Sequence, residues 1–258
     1  MKNCILLSHV HVYDNESYKH SILSFALDHY RKHNPEDFII LTGHGLRPDD
    51  SILKKADYFI WEDTVRESEI GRGHPQLVDF GVQYAVENGF DYLVKCRADS
   101  IISIPNIVNH CVSILQKENK KMLVSLGTEK YVYGLGDLFV CCPPILLEQT
   151  WNPAVWDYRT NGLQNFGLGA FKKLNFPVID DWMSFLREHF SYRDPENLGW
   201  VDLLGPHPHD GSKWQSLIQN YGYDSLIENK IDYSPYMWGK DWGQIPEQYL
   251  NEEYFYNG

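Results

Sequence analysis

The chain has 258 residues, 43% of them hydrophobic, enough to bury one large core without disulfides or metals as staples. Its 35 acidic residues outnumber 23 basic ones for a formal charge of -12, and no long basic run interrupts that balance, so a nonspecific grip on nucleic acid is disfavoured. The five cysteines (Cys4, Cys96, Cys111, Cys141, Cys142) are odd in number and lack CxxC spacing, which points to reduced thiols in a cytoplasmic protein rather than a disulfide framework or a zinc knuckle.

Met1 to Leu7 carries one positive charge and a short apolar run, but His9, His11 and Asp14 follow at once with no small-residue cleavage site, so it reads as a first strand, Cys4 to Leu7. No apolar segment approaches the roughly 20 residues of a membrane helix, which leaves at most peripheral membrane contact. Ile22, Phe25, Ala26, His29 and Tyr30 recur at helical spacing until Asn34-Pro35. Phe38 to Leu41 is a second strand, closed by Gly43 and Gly45; Ser51 to Lys55 is a short helical turn; Tyr58 to Trp61 is a third strand, ending in Glu62-Asp63. This alternation predicts a parallel sheet.

A polar loop, Thr64 to His74, leads into a helix with Leu77, Phe80, Gly81, Tyr84 and Ala85 on one face, ended by Asn88-Gly89. The strand Tyr92 to Cys96 then stops abruptly in Arg97-Ala98-Asp99-Ser100, presenting a guanidinium and a carboxylate where open α/β sheets place their ligands. Pro105 suits the first turn of a helix bearing Val108, Cys111, Val112 and Leu115. Met122 to Ser125 and Tyr131 to Cys142 are further strand candidates, and Pro143-Pro144 opens another helix. From Trp151 on the rhythm is lost, and that part holds seven of the eight tryptophans; most of these rings are expected in the core, with a few lining a groove suited to sugar faces.

Gly71-Arg72-Gly73-His74-Pro75-Gln76 before an amphipathic helix, then Asn88 to Asp99 with its Lys95-Cys96-Arg97-Ala98-Asp99 strand end, resembles the centre of a GT-A glycosyltransferase, over roughly residues 1 to 150. Together with Pro246-Glu247-Gln248-Tyr249-Leu250, the strand end is similar to the WavE-type group associated with lipopolysaccharide synthesis. The resemblance implies one α/β domain over 1–258 with a GT-A-like, mostly parallel sheet flanked by helices. Residues 1–150 would form the nucleotide-sugar half, and 151–258 a loop-rich, aromatic-rich acceptor half. It implies transfer from a nucleotide diphosphate sugar to a hydroxyl on a glycan or lipid-linked acceptor, with no nucleic acid partner. Nucleotide contacts are implied at Ser8 to His11 (His9, His11) and at Arg72 and Gln76, beside Arg97 and Asp99.

A divalent cation, Mn2+ or Mg2+, bridging the diphosphate would stabilise its developing charge. Asp99 would hold it, with His209 or His207 completing the metal site. Arg97 stands where the DxD motif has its first carboxylate, and a guanidinium pairs directly with phosphate, so metal dependence stays open. A plainer role for Arg97 and Asp99 is a helix cap or a structural ion pair. Asp137, in Gly134-Leu135-Gly136-Asp137, would orient an acceptor hydroxyl, or the two glycines only shape a bulge. An inverting transfer needs a carboxylate base, with Asp181 and Glu247 ahead of Asp180 and Glu196.

Three other readings compete. His9-Val10-His11 with His207-Pro208-His209-Asp210 suits a metal-dependent hydrolase, although the alternation stops short of the eight units such enzymes use. A non-catalytic sugar-binding module would explain the aromatics and the missing carboxylate. A sugar nucleotidyltransferase is disfavoured, because Ser8 to Tyr13 contains no glycine.

Overall fold

The computed structural model describes residues 1–11, 18–62, 73–125, 139–153, 162–193, 195–204 and 211–233. Strands β1 (Asn3–His11), β2 (Phe38–Gly45), β3 (Tyr58–Glu62) and β4 (Tyr92–Arg97) are the four apolar runs of the first hundred residues. The helices between them are α1 (Tyr18–His33), α2 (Asp50–Leu53) and α3 (Gly73–Glu87). After β5 (Ser100–Ile102) and α4 (Ile107–Glu118) come β6 (Met122–Ser125), β7 (Val140–Cys142) and α5 (Pro144–Thr150), with Pro144 in its first turn as the sequence suggests.

The main sheet has the order β3-β2-β1-β4-β7-β6 and ends in β8 (Phe190–Arg193). Only β7 runs against its neighbours. The sequence rhythm that fades at Trp151 therefore continues: α6 (Gly162–Lys173) and α7 (Ile179–His189) lead into β8, which pairs in parallel with β6. A second, two-stranded sheet joins β5 to β9 (Trp200–Asp202), and α8 (Ser212–Tyr221) and α9 (Tyr223–Ile227) follow it.

Alternation along the strands sends successive side chains to opposite faces and so makes two cores. Ile5, Leu7, Ile39, Leu41, Val94 and Cys96 pack on one face with α1, α4 and α8. Cys4, Leu6, Ile40 and Leu93 pack on the other with α3, α5, α6 and α7. Trp151, Trp182, Trp200 and Trp214 are all buried in these cores, as expected for most of the rings.

Two local differences from the sequence pattern have clear causes. Gly43 does not close β2 but lies inside it, because the Trp61 ring rests on it, where a Cβ would come within 2.2 Å of the ring; Gly45 does close the strand, its carbonyl accepting from Trp61 Nε1 at 3.1 Å. Pro105 does not enter α4, because Asn106 takes a left-handed conformation (φ 51°) and the helix begins after it.

Candidate functional site

All strands of the main sheet except β7 end at one edge, and the charged residues gather there. Lys95 and Arg97 are two apart on β4, so both leave the face that α3 covers. Lys95 is wholly buried; its Nζ lies 5.4 Å from the centre of the Trp151 ring and 3.5 Å from His74 Nε2 in the first turn of α3. Burial holds His74 well below the usual histidine range, and the positive charges of Lys95 and Arg97 add to that, so its imidazole is neutral.

Past the end of β4 the backbone is tied on both sides. Ala98 N donates to the Ser8 carbonyl at 2.9 Å, Leu203 N to the Asp99 carbonyl at 3.0 Å, and Ser100 Oγ to the Arg97 carbonyl at 3.0 Å. On this frame Arg97 Nε donates to Asp99 Oδ1 at 2.9 Å while Nη2 bonds Oδ2, a fork on both carboxylate oxygens. The Asp99 side chain is 17% exposed and that of Arg97 39%, so the pair opens to solvent at the sheet edge. Of the two plainer roles considered for these residues, the ion pair is present, whereas the next helix starts only at Ile107.

The β5–β9 sheet adds a residue that the sequence pattern did not suggest. Ser100 pairs with Asp202, which brings the Asp202 carboxylate beside Asp99. Asp202 is 8% exposed and its Oδ1 accepts from Leu204 N at 3.1 Å. Burial pushes its carboxyl above the usual range, and the charge of Asp99 pushes the same way against Arg97 and Lys213. Asp202 sits in an apolar stretch, Trp200 to Leu204, and its partner strand lies about a hundred positions earlier, so nothing local marked it.

The other site residues are more scattered. His9 is buried with its ring 5.9 Å from that of Trp61, and His11 closes β1. Gln76 is half-buried near the start of α3. Asp180 and Asp181 are exposed in the first turn of α7, which packs on β8 three strands from β4 and is not brought to the Arg97–Asp99 pair. Glu196 falls in a 3-10 turn, Pro195–Leu198, ahead of β9. Arg72, Asp137, His207, His209 and Glu247 lie outside the described residues.

For a divalent cation, the oxygen ligands at the β4 end are Asp99, both of whose oxygens serve Arg97, and Asp202. Among the described residues no three His, Cys, Asp or Glu side chains gather to hold a metal, and the two carboxylates there are already engaged, Asp99 by Arg97 and Asp202 by Leu204 N, so these residues by themselves make no metal shell. Nor, among those residues, is any helix long and apolar enough to cross a membrane.

No protein-family model matches the sequence, and no curated protein matches it. Solved structures do resemble it in shape. The mannosyltransferase PcManGT from Pyrobaculum calidifontis, solved in complex with GDP-Man and Mn2+, gives a TM-score of 0.50 at 8% identity over 91% of this chain and 67% of its own. A cytidylyltransferase from Leptospira borgpetersenii gives 0.48 at 14% identity, over 89% and 93% of the two chains. A glycosyltransferase involved in glycosylation of the major capsid of PBCV-1 gives 0.44 at 11%, over 82% and 99%. At such identities the likeness is one of fold, and the fold of this chain is α/β of the GT-A type, a mostly parallel seven-stranded sheet flanked by helices.

Proposed function

We propose that the chain is a glycosyltransferase that moves a hexosyl group from a nucleotide diphosphate sugar to a hydroxyl on a glycan or lipid-linked saccharide. The observation that carries this reading is the convergence of Arg97, Asp99 and Asp202 at the open end of β4, in a sheet of the GT-A type. Carboxyl ends of parallel strands are where such sheets take nucleotides. The structural likeness to PcManGT, solved with GDP-Man, supports a nucleotide-sugar donor. The Lys-x-Arg-x-Asp strand end supports a WavE-type role in polysaccharide biosynthesis on the cytoplasmic side of a membrane.

In this reading the diphosphate lies against Arg97, with the Lys95 charge and the α3 N-terminus behind it. His9 and Gln76 lie on the nucleotide side, and Arg72 and His11 would extend it. Asp202 is the base: it takes the proton of the acceptor hydroxyl as that oxygen closes on the anomeric carbon, an inverting displacement. Asp137 and Glu247 would hold the acceptor from stretches outside the described residues, and Asp181, in the first turn of α7, which packs on β8, is given no part in this proposal.

Melting-temperature shifts against UDP-, GDP-, CMP- and dTDP-sugars test the donor site, since a ligand bound only by the native state raises stability. One of these compounds is expected to stabilise the protein and to be turned over. Asp202→Asn should lower kcat by about 100-fold or more with little change in the donor KM, as loss of a general base does. Absence of stabilisation by every compound would sink the proposal.

A further inference from the structure

We infer that the end of β4 neutralises its diphosphate with a held guanidinium instead of a divalent cation: Arg97 is the charge, and Asp99 is the clamp that aims it. This rests on the nucleotide-sugar reading of the site. A carboxylate that binds a metal presents an oxygen lone pair to the ion, whereas the Arg97 fork through Nε and Nη2 takes one lone pair on each Asp99 oxygen and sets a fixed positive charge beside those that remain. The fork is planar and two-pronged, so it sets the direction of the guanidinium as well as its distance. Backbone bonds from Ala98 N to the Ser8 carbonyl and from Leu203 N to the Asp99 carbonyl hold the turn between the two residues, which makes the pair part of the fold. A dication seated on Asp99 would have to displace this guanidinium or lie against it, like charge beside like charge.

The neighbouring groups add positive charge where the phosphates would sit. Lys95 leaves β4 on the same face two residues earlier and is wholly enclosed beside His74 and the Trp151 ring. The first turn of α3, carrying His74, brings the positive end of a 15-residue helix. Asp202, the remaining carboxylate at the strand end, already accepts from Leu204 N through Oδ1, and in this reading it serves the acceptor hydroxyl, not a metal. Asp99 is thus a positioning residue for Arg97, and the missing first carboxylate of the strand-end motif is a replacement with a function of its own.

Isothermal titration with UDP, GDP, CDP and dTDP, each in EDTA and in Mn2+, tests the inference. The nucleotide that binds should do so with Kd values in the two media that agree within about twofold, since a contribution of one charge-assisted bond would shift them tenfold or more. Arg97→Gln should weaken that Kd about tenfold or more in both media, and Arg97→Lys, which keeps the charge but loses the fork, should weaken it in both as well. Unchanged melting temperatures in the two variants would show that the loss is local. Mn2+ titrated into the protein alone, followed by electron paramagnetic resonance, should remain free. A Kd that tightens tenfold or more in Mn2+, with the gain abolished by Asp99→Asn, would overturn the inference and leave the donor site standing. Failure of every nucleotide to bind in either medium would overturn both.

Discussion

The two ends of the main sheet both hold hydrogen-bonded polar groups, and they use them differently. At the end where β1 and β4 begin, each group ties one chain segment to another: Lys2 N donates to Asp91 Oδ2 at 2.7 Å, Asn3 Nδ2 to Asn109 Oδ1 at 3.0 Å, and Ile107 N to Asn34 Oδ1 at 2.8 Å. At the end where the strands stop, Lys95, His74, Arg97, Asp99 and Asp202 converge on one another and on solvent. The first set raises stability by joining segments far apart in the chain, and two of its bonds satisfy backbone N–H groups at Lys2 and Ile107. The second set spends stability by crowding like charges and burying an ammonium, a pattern found where a fold keeps a ligand site.

Removing supports from each end sharpens the contrast. Trp151 is wholly buried, its Nε1 donates to the Pro75 carbonyl at 2.8 Å, and its ring packs 5.0 Å from that of Phe166 while lying under Lys95. Trp151→Ala should cost about 3–5 kcal/mol in denaturant unfolding and loosen the seat of Lys95, so nucleotide affinity should fall with it. At the opposite end Asn34 is buried, with Oδ1 accepting from Ile107 N and Nδ2 donating to the Tyr30 carbonyl at 3.1 Å. Asn34→Ala should cost about 1–3 kcal/mol, the penalty of a buried donor left without its acceptor, yet leave nucleotide affinity unchanged in the folded fraction. If Asn34→Ala weakened the nucleotide as much as Trp151→Ala, the two ends would not be functionally distinct.

Much of the first end was legible in the sequence, and about half of the second. Strands β1, β2, β4 and β6 show as apolar runs because both faces of each are covered, and β3, at the sheet edge, shows because its half-buried Tyr58, Phe59, Ile60 and Trp61 are all apolar or aromatic. Strand β8, Phe-Ser-Tyr-Arg, is short, polar and at the sheet edge, so it shows no such run. Arg97 and Asp99 were legible because charge follows an apolar strand without a spacer. Asp202 was not, because an isolated acid in a short apolar stretch carries no periodic signal and only the pairing of Ser100 with Asp202 across the chain reveals its neighbour. The extent of β2 past Gly43 is hidden for a similar reason: a glycine that ends a strand and one that makes room for a tryptophan from the next strand look the same in sequence.

The finest separation of the two ends comes from a pair of acids that burial affects alike. Asp37, beside the start of β2, is raised to about 6 chiefly by burial, with a hydrogen bond from Asn3 opposing it, and Asp202 at the other end is raised for the same chief reason. For a carboxyl so raised, the folded state binds more protons than the unfolded one between the unperturbed pKa of 3.8 and about 6. Stability is therefore highest, as far as Asp37 is concerned, below the lower value and is lost as pH rises through the upper one. At pH 7 and above the ionised Asp37 costs about 3 kcal/mol, and Asp37→Asn should recover an amount of that order at pH 8 while gaining almost nothing at pH 3.5, read from unfolding curves at the two pH values. Asp202→Asn should shift stability in the same direction, but only this variant should lose turnover, because only its carboxylate stands beside Arg97 and Asp99. Two variants more stable than the parent at pH 8, one active and one inactive, would separate an acid kept for the fold from an acid kept in spite of it. Full turnover in Asp202→Asn would place Asp202 with Asp37, among the groups that serve the fold alone.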